Sequence, residues 1–243
     1  MSRSFTAASS QYIEIDSAVV TAAGFTMGCW FNANNITSGH TLLAINDKDA
    51  SASFFMLDAR GADTGDPFRF AARQESGSYN TADTSTGFSA GVWHMGVGVS
   101  ASTTDRRAYI DGGSKGTDNT NCTPANLDRT SIGRTGDATP GGYTDGLIAH
   151  AFVYNFAMTD AQVAELYAAK HPLLYNPGAL VAYWPLMAND RDMIGDFHMT
   201  AYNTPTFGAE PTILRPRSPI ITGYTAAAAS NPGPRNLLTL GCG

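Results

Sequence analysis

The chain has 243 residues and a formal net charge of -6, with 43% hydrophobic and 15% charged residues. A chain of this length can bury a complete core, and β-sandwiches of this size commonly form one domain. The sequence has no run of Lys and Arg to neutralise phosphates and no apolar run long enough to cross a bilayer, so we expect neither a nucleic-acid nor a membrane partner.

The N-terminal residues 1–5 lack an apolar signal core, so we expect synthesis in the cytoplasm without Sec-type secretion. The cysteines are odd in number and far apart, at Cys29, Cys122 and Cys242. This spacing favours buried or incidental thiols over a disulfide framework or a metal site.

Alternation of apolar and polar residues predicts a series of short strands. Residues 25–31 alternate with the two-residue period of a half-buried strand, and residues 93–99 repeat the pattern. Residues 106–110 are predicted to be a return strand, after which Asp111-Gly112 supplies the positive φ of a tight hairpin turn. The apolar face of the first strand carries Phe25, Met27, Cys29 and Phe31. Further strands are predicted at residues 12–15, 41–45, 54–57, 68–72 and 149–154.

One helix is predicted over residues 159–169. Thr159 and Gln162 have the spacing of a capping box, in which each side chain binds a free amide at the helix start. Val163, Leu166 and Tyr167 form an apolar stripe at helical spacing, and Pro172 prevents the helix from continuing.

Six segments in this order resemble the laminin-G-like, or concanavalin A-like, jelly-roll superfamily. The resemblance implies an all-β, two-sheet antiparallel sandwich with one short helix, but this fold hosts lectins, glycosidases, adhesion modules and structural proteins. The matching segments are F-T-M-G-C-W-F at 25–31, V-W-H-M at 92–95, A-Y-I-D-G at 108–112, S-I-G at 131–133, D-G-L-I at 145–148 and the helix.

A late strand is predicted at residues 180–186, L-V-A-Y-W-P-L. It resembles the strand that opens many laminin-G-like domains, ahead of the one that matches residues 12–15. One explanation is a circularly permuted sandwich in which the late strand completes its own sheet, and another is pairing with a neighbouring subunit. A truncated second copy would be too short for another sandwich. We therefore predict a sandwich over 1–209, with 180–209 as the permuted or swapped segment, and a strand at 180–186 in one sheet with the segment before Phe31.

Residues 210–243 are predicted to be an extended, Pro-rich C-terminal arm that orders on contact with the sandwich or a partner. Five prolines prevent regular structure, and the alternative is a frayed terminus. The candidate assembly residues are the apolar anchors Ile220, Ile221, Leu237, Leu238 and Leu240 and the cations Arg215 and Arg217.

No catalytic site is predicted. Laminarinase-like relatives place three carboxylates on one strand as E-x-D-x-E or E-x-D-x-x-E, and here Glu14 and Asp16 supply only two. His94 belongs to the Trp-His pair of the fold and is expected to close a hydrogen bond.

Two binding sites remain candidates. Calcium is possible in the oxygen-rich segments 46–49 and 189–192, although each contains a cation and the frequent acidic ligand position is Ala149 here, so no metal ligand or cofactor is assigned. Sugar binding needs aromatic platforms beside polar groups. The candidates are Tyr79, Tyr143 and Tyr202, near Asn80, Asp145 and Asn203.

Three classes of function follow. The first is a non-enzymatic virion protein, a capsid decoration or a fibre or tail component. A compact laminin-G-like sandwich followed by a Pro-rich C-terminal arm resembles proteins of tailed bacteriophages. Its expected partners are other virion proteins such as a major capsid protein, together with further copies of itself. The alternative is a carbohydrate-binding module for cell-surface glycans, in the same virion or elsewhere. The third class is a glycoside hydrolase, but this chain lacks the third carboxylate that such an enzyme would need on the strand.

Overall fold

The structure is a computed structural model, and it describes residues 1–212. That region contains fifteen strands, one α-helix and three short 3-10 helices. The strands are β1 (Ser2–Phe5), β2 (Tyr12–Ile15), β3 (Phe25–Ala33), β4 (Gly39–Asn46), β5 (Phe54–Arg60), β6 (Pro67–Arg73), β7 (Asn80–Gly87), β8 (His94–Ser102), β9 (Asp105–Ile110), β10 (Gly113–Asp118), β11 (Arg129–Ile132), β12 (Gly146–Tyr154), β13 (Leu180–Trp184), β14 (Thr200–Tyr202) and β15 (Thr206–Gly208). The helix is α1 (Asp160–Ala169), and the 3-10 helices are Ala7–Ser9, Pro172–Leu174 and Pro177–Ala179.

The strands form two antiparallel sheets, as predicted. Sheet A has eight strands in the order β10-β9-β8-β3-β12-β1-β15, with β13 also paired to β12. Sheet B has seven strands in the order β14-β2-β11-β4-β5-β6-β7. The two sheets enclose one large apolar core, which is the layer arrangement of a jelly-roll sandwich.

The predicted faces of β3 and β8 are confirmed. The apolar face of β3 lies in the core between the sheets. On the same side of sheet A, Gly96 and Gly98 of the neighbouring β8 face Phe68 and Phe70 of sheet B, so closely that a Cβ at Gly96 would lie 2.1 Å from the Phe68 ring. Glycine is therefore required here because the aromatic rings of one sheet pack directly on the backbone of the other.

The outer face of sheet A is covered by α1 and the segments beside it. Thr159 and Gln162 form the predicted capping box, and Val163 and Leu166 are fully buried against this face. Tyr167 stacks on Trp30 with ring centroids 6.0 Å apart. The helix is thus a cover for the second apolar layer of the sandwich.

The late strand β13 belongs to the chain's own sheet A, which also contains β3. Its hydrogen-bonded neighbour is β12, and not a strand before Phe31. The reason is that both edges of β3 are occupied, by β8 and by β12. Strand β12 bends at His150, whose φ is 50°, and so pairs with β1 along one half and with β13 along the other.

The turn at Asp111-Gly112 has φ values of 51° and 77°, which confirms the predicted hairpin between β9 and β10.

Cys29 and Cys122 are free and buried, whereas Cys242 lies outside the described residues. Within residues 1–212, no helix is long and apolar enough to span a membrane.

Candidate functional site

The outer face of sheet B carries the polar and aromatic side chains that the core does not use. In β2, Ile13 points into the core, so the alternation of the strand places Tyr12 and Glu14 on the outer face. The neighbouring edge strand β14 pairs with β2 in a register that sets Tyr202 beside Tyr12. The edge of sheet B therefore presents two tyrosines side by side.

These two residues and Tyr143 form the tyrosine cluster. The Tyr12 and Tyr202 rings are stacked, with centroids 4.8 Å apart and an interplanar angle of 11°. Tyr143 lies 6.3 Å from Tyr12 at 51°. Tyr202 is 41% exposed and Tyr143 is half-buried, so the cluster offers aromatic surface to solvent.

A buried ion pair between Arg134 and Glu14 packs against the Tyr12 ring and fixes its position in the cluster. The Arg134 guanidinium carbon lies 3.5 Å from the centroid of the Tyr12 ring, which is a close cation–π contact. Arg134 donates to the Glu14 carboxylate at 2.7 Å, and both side chains are 8% exposed. A buried arginine pairs best with a carboxylate that satisfies its charge, so Glu14 holds Arg134 under the tyrosine.

Tyr143 is positioned by a loop, residues 133–145, which we call the covering loop. Thr144 donates its hydroxyl to the carbonyl of Thr41 at 2.6 Å, and Gly142 accepts from the Thr41 amide at 2.9 Å. The amide of Gly136 donates to the Asn46 side chain at 3.1 Å. Both neighbours of Tyr143 are therefore bound to sheet B, and its backbone position is fixed.

The Tyr12 hydroxyl of the cluster remains protonated at neutral pH. Burial raises the pKa of Tyr12, Arg134 acts against that shift and Glu14 adds to it. A neutral phenol donates one hydrogen bond and accepts others, which suits an alcohol-rich ligand.

The sequence-predicted sugar residues divide between two places. Tyr143 and Tyr202 meet in the cluster, while Tyr12, missed as a site residue, supplies the ring between them. Tyr79 lies beside the far edge of sheet B, where it contacts the Phe54 ring edge-on with centroids 5.7 Å apart. It therefore cannot share a small ligand with the cluster.

The polar candidates are occupied by local structure. Asp145 accepts from the Asn34 and Asn35 side chains, and Asn203 donates to the carbonyl of Ser10 at 2.7 Å. Asn80 donates to the carbonyl of Ser78. These polar side chains therefore bind the ends of nearby loops. The exposed surface of the cluster is formed by its tyrosine rings.

The carboxylates of β2 are engaged as well. Glu14 is held by Arg134, and Asp16 accepts from Arg129 at 2.8 Å. His94 is bound on both ring nitrogens, to Asp111 at 2.7 Å and to the amide of Ser89 at 3.2 Å. Its ring thus closes hydrogen bonds within the fold, in agreement with the prediction.

The predicted calcium segments contain their own cations. Asp47, Asp49 and Asp128 converge within 4.8 Å, but Lys48 donates to both Asp49 and Asp128 at 2.7 Å. Its ammonium group supplies the positive charge that a metal would bring. In the second segment, Asp190 pairs with Arg3. Asp192 accepts hydrogen bonds from the backbone amides of residues 183, 194, 195 and 197.

The candidate assembly residues of the C-terminal arm lie outside the described residues.

A buried carboxyl, Asp58, lies on the same face of sheet B, away from the cluster. Burial is the largest influence on its pKa, and it outweighs the opposing effect of Arg60 and Arg69. The net result is a pKa raised to about 6. Because the ordinary value is 3.8, the folded protein binds this proton more tightly than the unfolded chain. The contribution of protonated Asp58 to stability is complete below pH 3.8 and is lost as the pH rises through about 6.

Asp58→Asn is therefore expected to raise the free energy of unfolding by about 2–3 kcal/mol at pH 8 and to leave it unchanged below pH 4. Urea unfolding at the two pH values measures the difference. The matched control is Asp196→Asn, at an exposed carboxylate, which should have little effect at either pH. A loss of stability in Asp58→Asn at high pH would contradict the assignment.

Comparison with known proteins identifies the family. Residues 7–164 match the family model of the concanavalin A-like lectin/glucanases superfamily. This match covers more than half of the chain, and the protein belongs to that superfamily. No curated protein matches the sequence.

Solved structures show the same fold at low sequence identity. The heptameric SAP-like pentraxin from Limulus polyphemus is 11% identical, with a TM-score of 0.57 over 81% of this chain and 87% of that one. Domain 4 of the arabinanase AbnA from Geobacillus stearothermophilus, in complex with arabinotriose, is 18% identical, with a TM-score of 0.52 over 64% and 72%. The CBM40 of the Ruminococcus gnavus IT-sialidase, bound to α2,3-sialyllactose, is 12% identical, with a TM-score of 0.51 over 60% and 84%. These relatives include carbohydrate-binding domains of larger enzymes.

Proposed function

We propose that this protein is a non-enzymatic carbohydrate-binding domain whose ligand stacks on the tyrosine cluster. The observation that carries the proposal is the layered arrangement of Arg134, Tyr12 and the exposed Tyr202 ring. A sugar ring has an apolar C–H face and a rim of hydroxyls, so an exposed aromatic ring with a neutral phenol beside it can engage both.

The cluster is organised before any ligand arrives. Tyr12 is confined between strand pairing, Arg134 and Tyr202, and Tyr143 is fixed through both of its neighbours. A ligand that docks on such a surface loses its own freedom but orders few protein side chains, which favours binding. Domains of the same fold in complex with arabinotriose and with sialyllactose support the proposal.

The absence of catalysis is part of this proposal. A retaining glycosidase needs an acid and a nucleophile about 5–5.5 Å apart and free to react. Glu14 is instead buried in an ion pair with Arg134, and Asp16 is bound to Arg129. These contacts support a ligand-holding role for this face of the sheet.

We expect Tyr202→Ala to weaken glycan binding by up to about tenfold, since a stacked aromatic contact contributes about 0.5–1.5 kcal/mol. Tyr202→Phe should retain most of the affinity because the ring remains. Isothermal titration with a glycan selected from an array measures both changes. The matched control is Tyr79→Ala, which removes an exposed tyrosine from the other end of the sheet. Equal losses in Tyr79→Ala and Tyr202→Ala would contradict the assignment of the site.

The biological setting that we propose is a bacteriophage virion, made in the cytoplasm and assembled with other virion proteins. Its support is the style of the sequence, with L-V-A-Y-W-P-L at 180–186 and five prolines after residue 210. In that setting the arm tethers the protein to a lattice of partners, and repetition of the domain strengthens weak glycan contacts. Co-purification with intact particles tests this setting.

A further inference from the structure

Two arginines lie beside β2 and the tyrosine cluster, and both are bound to carboxylates. Arg134 is paired with Glu14, and Arg129 is bound to Asp16 at 2.8 Å and lies 3.9 Å from Glu14. The covering loop adds two more carboxyls, at Asp137 and Asp145. Both arginines thus have carboxylate partners already, and the covering loop carries two carboxyls and one arginine.

An acidic sugar requires the opposite arrangement. A sugar carboxylate is held best by a guanidinium whose paired N–H groups are free to bind both of its oxygens. Arg134 instead donates to Glu14 and lies beneath the Tyr12 ring with its side chain 8% exposed. To reach a ligand it would have to leave a buried carboxylate unpaired, which is costly.

We propose that the tyrosine cluster takes uncharged sugars and discriminates against glycans that carry a carboxylate. This inference rests on the proposed function and names its substrate class. Affinity at the cluster arises from ring stacking and hydroxyl hydrogen bonds, and the balanced ion pairs behind the cluster serve to position Tyr12.

The test is an array of neutral glycans in which each member is paired with its sialylated counterpart, probed with the full chain. We expect Tyr202-dependent binding to neutral members, with the sialylated partner bound at least about tenfold more weakly. The affinity for a neutral member should be the same at about 50 mM and about 500 mM sodium chloride, because no ion pair with the ligand is screened.

A charge variant tests the cause. Asp16→Asn removes the carboxylate that Arg129 binds at 2.8 Å and leaves the Nε–H of this 17% exposed side chain available to a ligand, while the Glu14–Arg134 pair is unchanged. It should raise the affinity for the sialylated member and leave neutral binding within about twofold. Preference of the wild type for the sialylated member, lost in Tyr202→Ala, would overturn the inference while the proposed function stands. Absence of Tyr202-dependent binding to every glycan would overturn both.

Discussion

Deletion of residues 180–243 is expected to abolish cooperative folding of the sandwich. The deleted part includes β13, which pairs with β12, and the core residues Trp184 and Leu186. It also removes β14 and β15 from the edges of the two sheets and leaves Arg3 without its partner Asp190. Loss of several large buried side chains costs on the order of 5–10 kcal/mol, which is comparable with the whole stability of a domain.

The matched control for this deletion is a chain that ends at Thr212, the last residue that the structure describes. It retains all fifteen strands, so its melting temperature should lie close to that of the full chain. Circular dichroism melts of the two variants measure the contrast. A cooperative transition in the variant that ends at residue 179 would show that the late strand is dispensable. A melting temperature of the full chain that rises with protein concentration would favour exchange of this strand between subunits.

Arg106→Met is expected to destabilise the protein by about 3–5 kcal/mol, because it removes one partner of a buried ion pair. The Arg106 side chain is fully buried and donates to Asp118 and to the carbonyls of Thr103 and Thr120. Burial alone would raise the pKa of Asp118, but hydrogen bonds from Arg106 and Thr120 hold it below its usual value. The variant leaves two carbonyls without the Arg106 donor and leaves the Asp118 carboxylate without its cation, with Thr120 as its hydrogen-bond donor.

The neighbouring residue provides the control for Arg106. Arg107 also pairs with an aspartate, Asp105, but its side chain is 22% exposed and water replaces its bonds. Arg107→Met should therefore cost less than about 1 kcal/mol. Chemical denaturation of both variants measures the two costs. Equal values would mean that burial of Arg106 does not determine its contribution.

Sequence patterns predicted the elements whose signals are local. The alternation in β3 and β8, the Asp111-Gly112 turn and the capping box of α1 each depend on residues within one element. The resemblance of residues 180–186 to an opening strand also predicted β13 correctly. Its predicted place in one sheet with the segment before Phe31 is confirmed, because sheet A contains β1 and β3 as well as β13. Its direct neighbour, β12, could not be predicted because strand pairing in a sheet is decided by all strands together.

Polar edge strands and the site itself were harder to predict. Strands β7, β10, β14 and β15 are polar or very short and carry no apolar alternation. The tyrosine cluster depends on the pairing of Tyr12 with Tyr202, which are far apart in sequence. The alternation around Ile13 does place Tyr12 and Glu14 on the outer face, but nothing local indicates which strand lies beside them.

The pairing of β1 with β15 determines how the sandwich responds to a mechanical load. Ser2 lies opposite Gly208 and Ser4 opposite Thr206, so the N-terminal end of β1 and the C-terminal end of β15 are at the same end of the pair. A force that pulls these two ends apart acts along the interstrand hydrogen bonds and breaks them one after another. The β1–β15 pair would therefore open from this end under a small force.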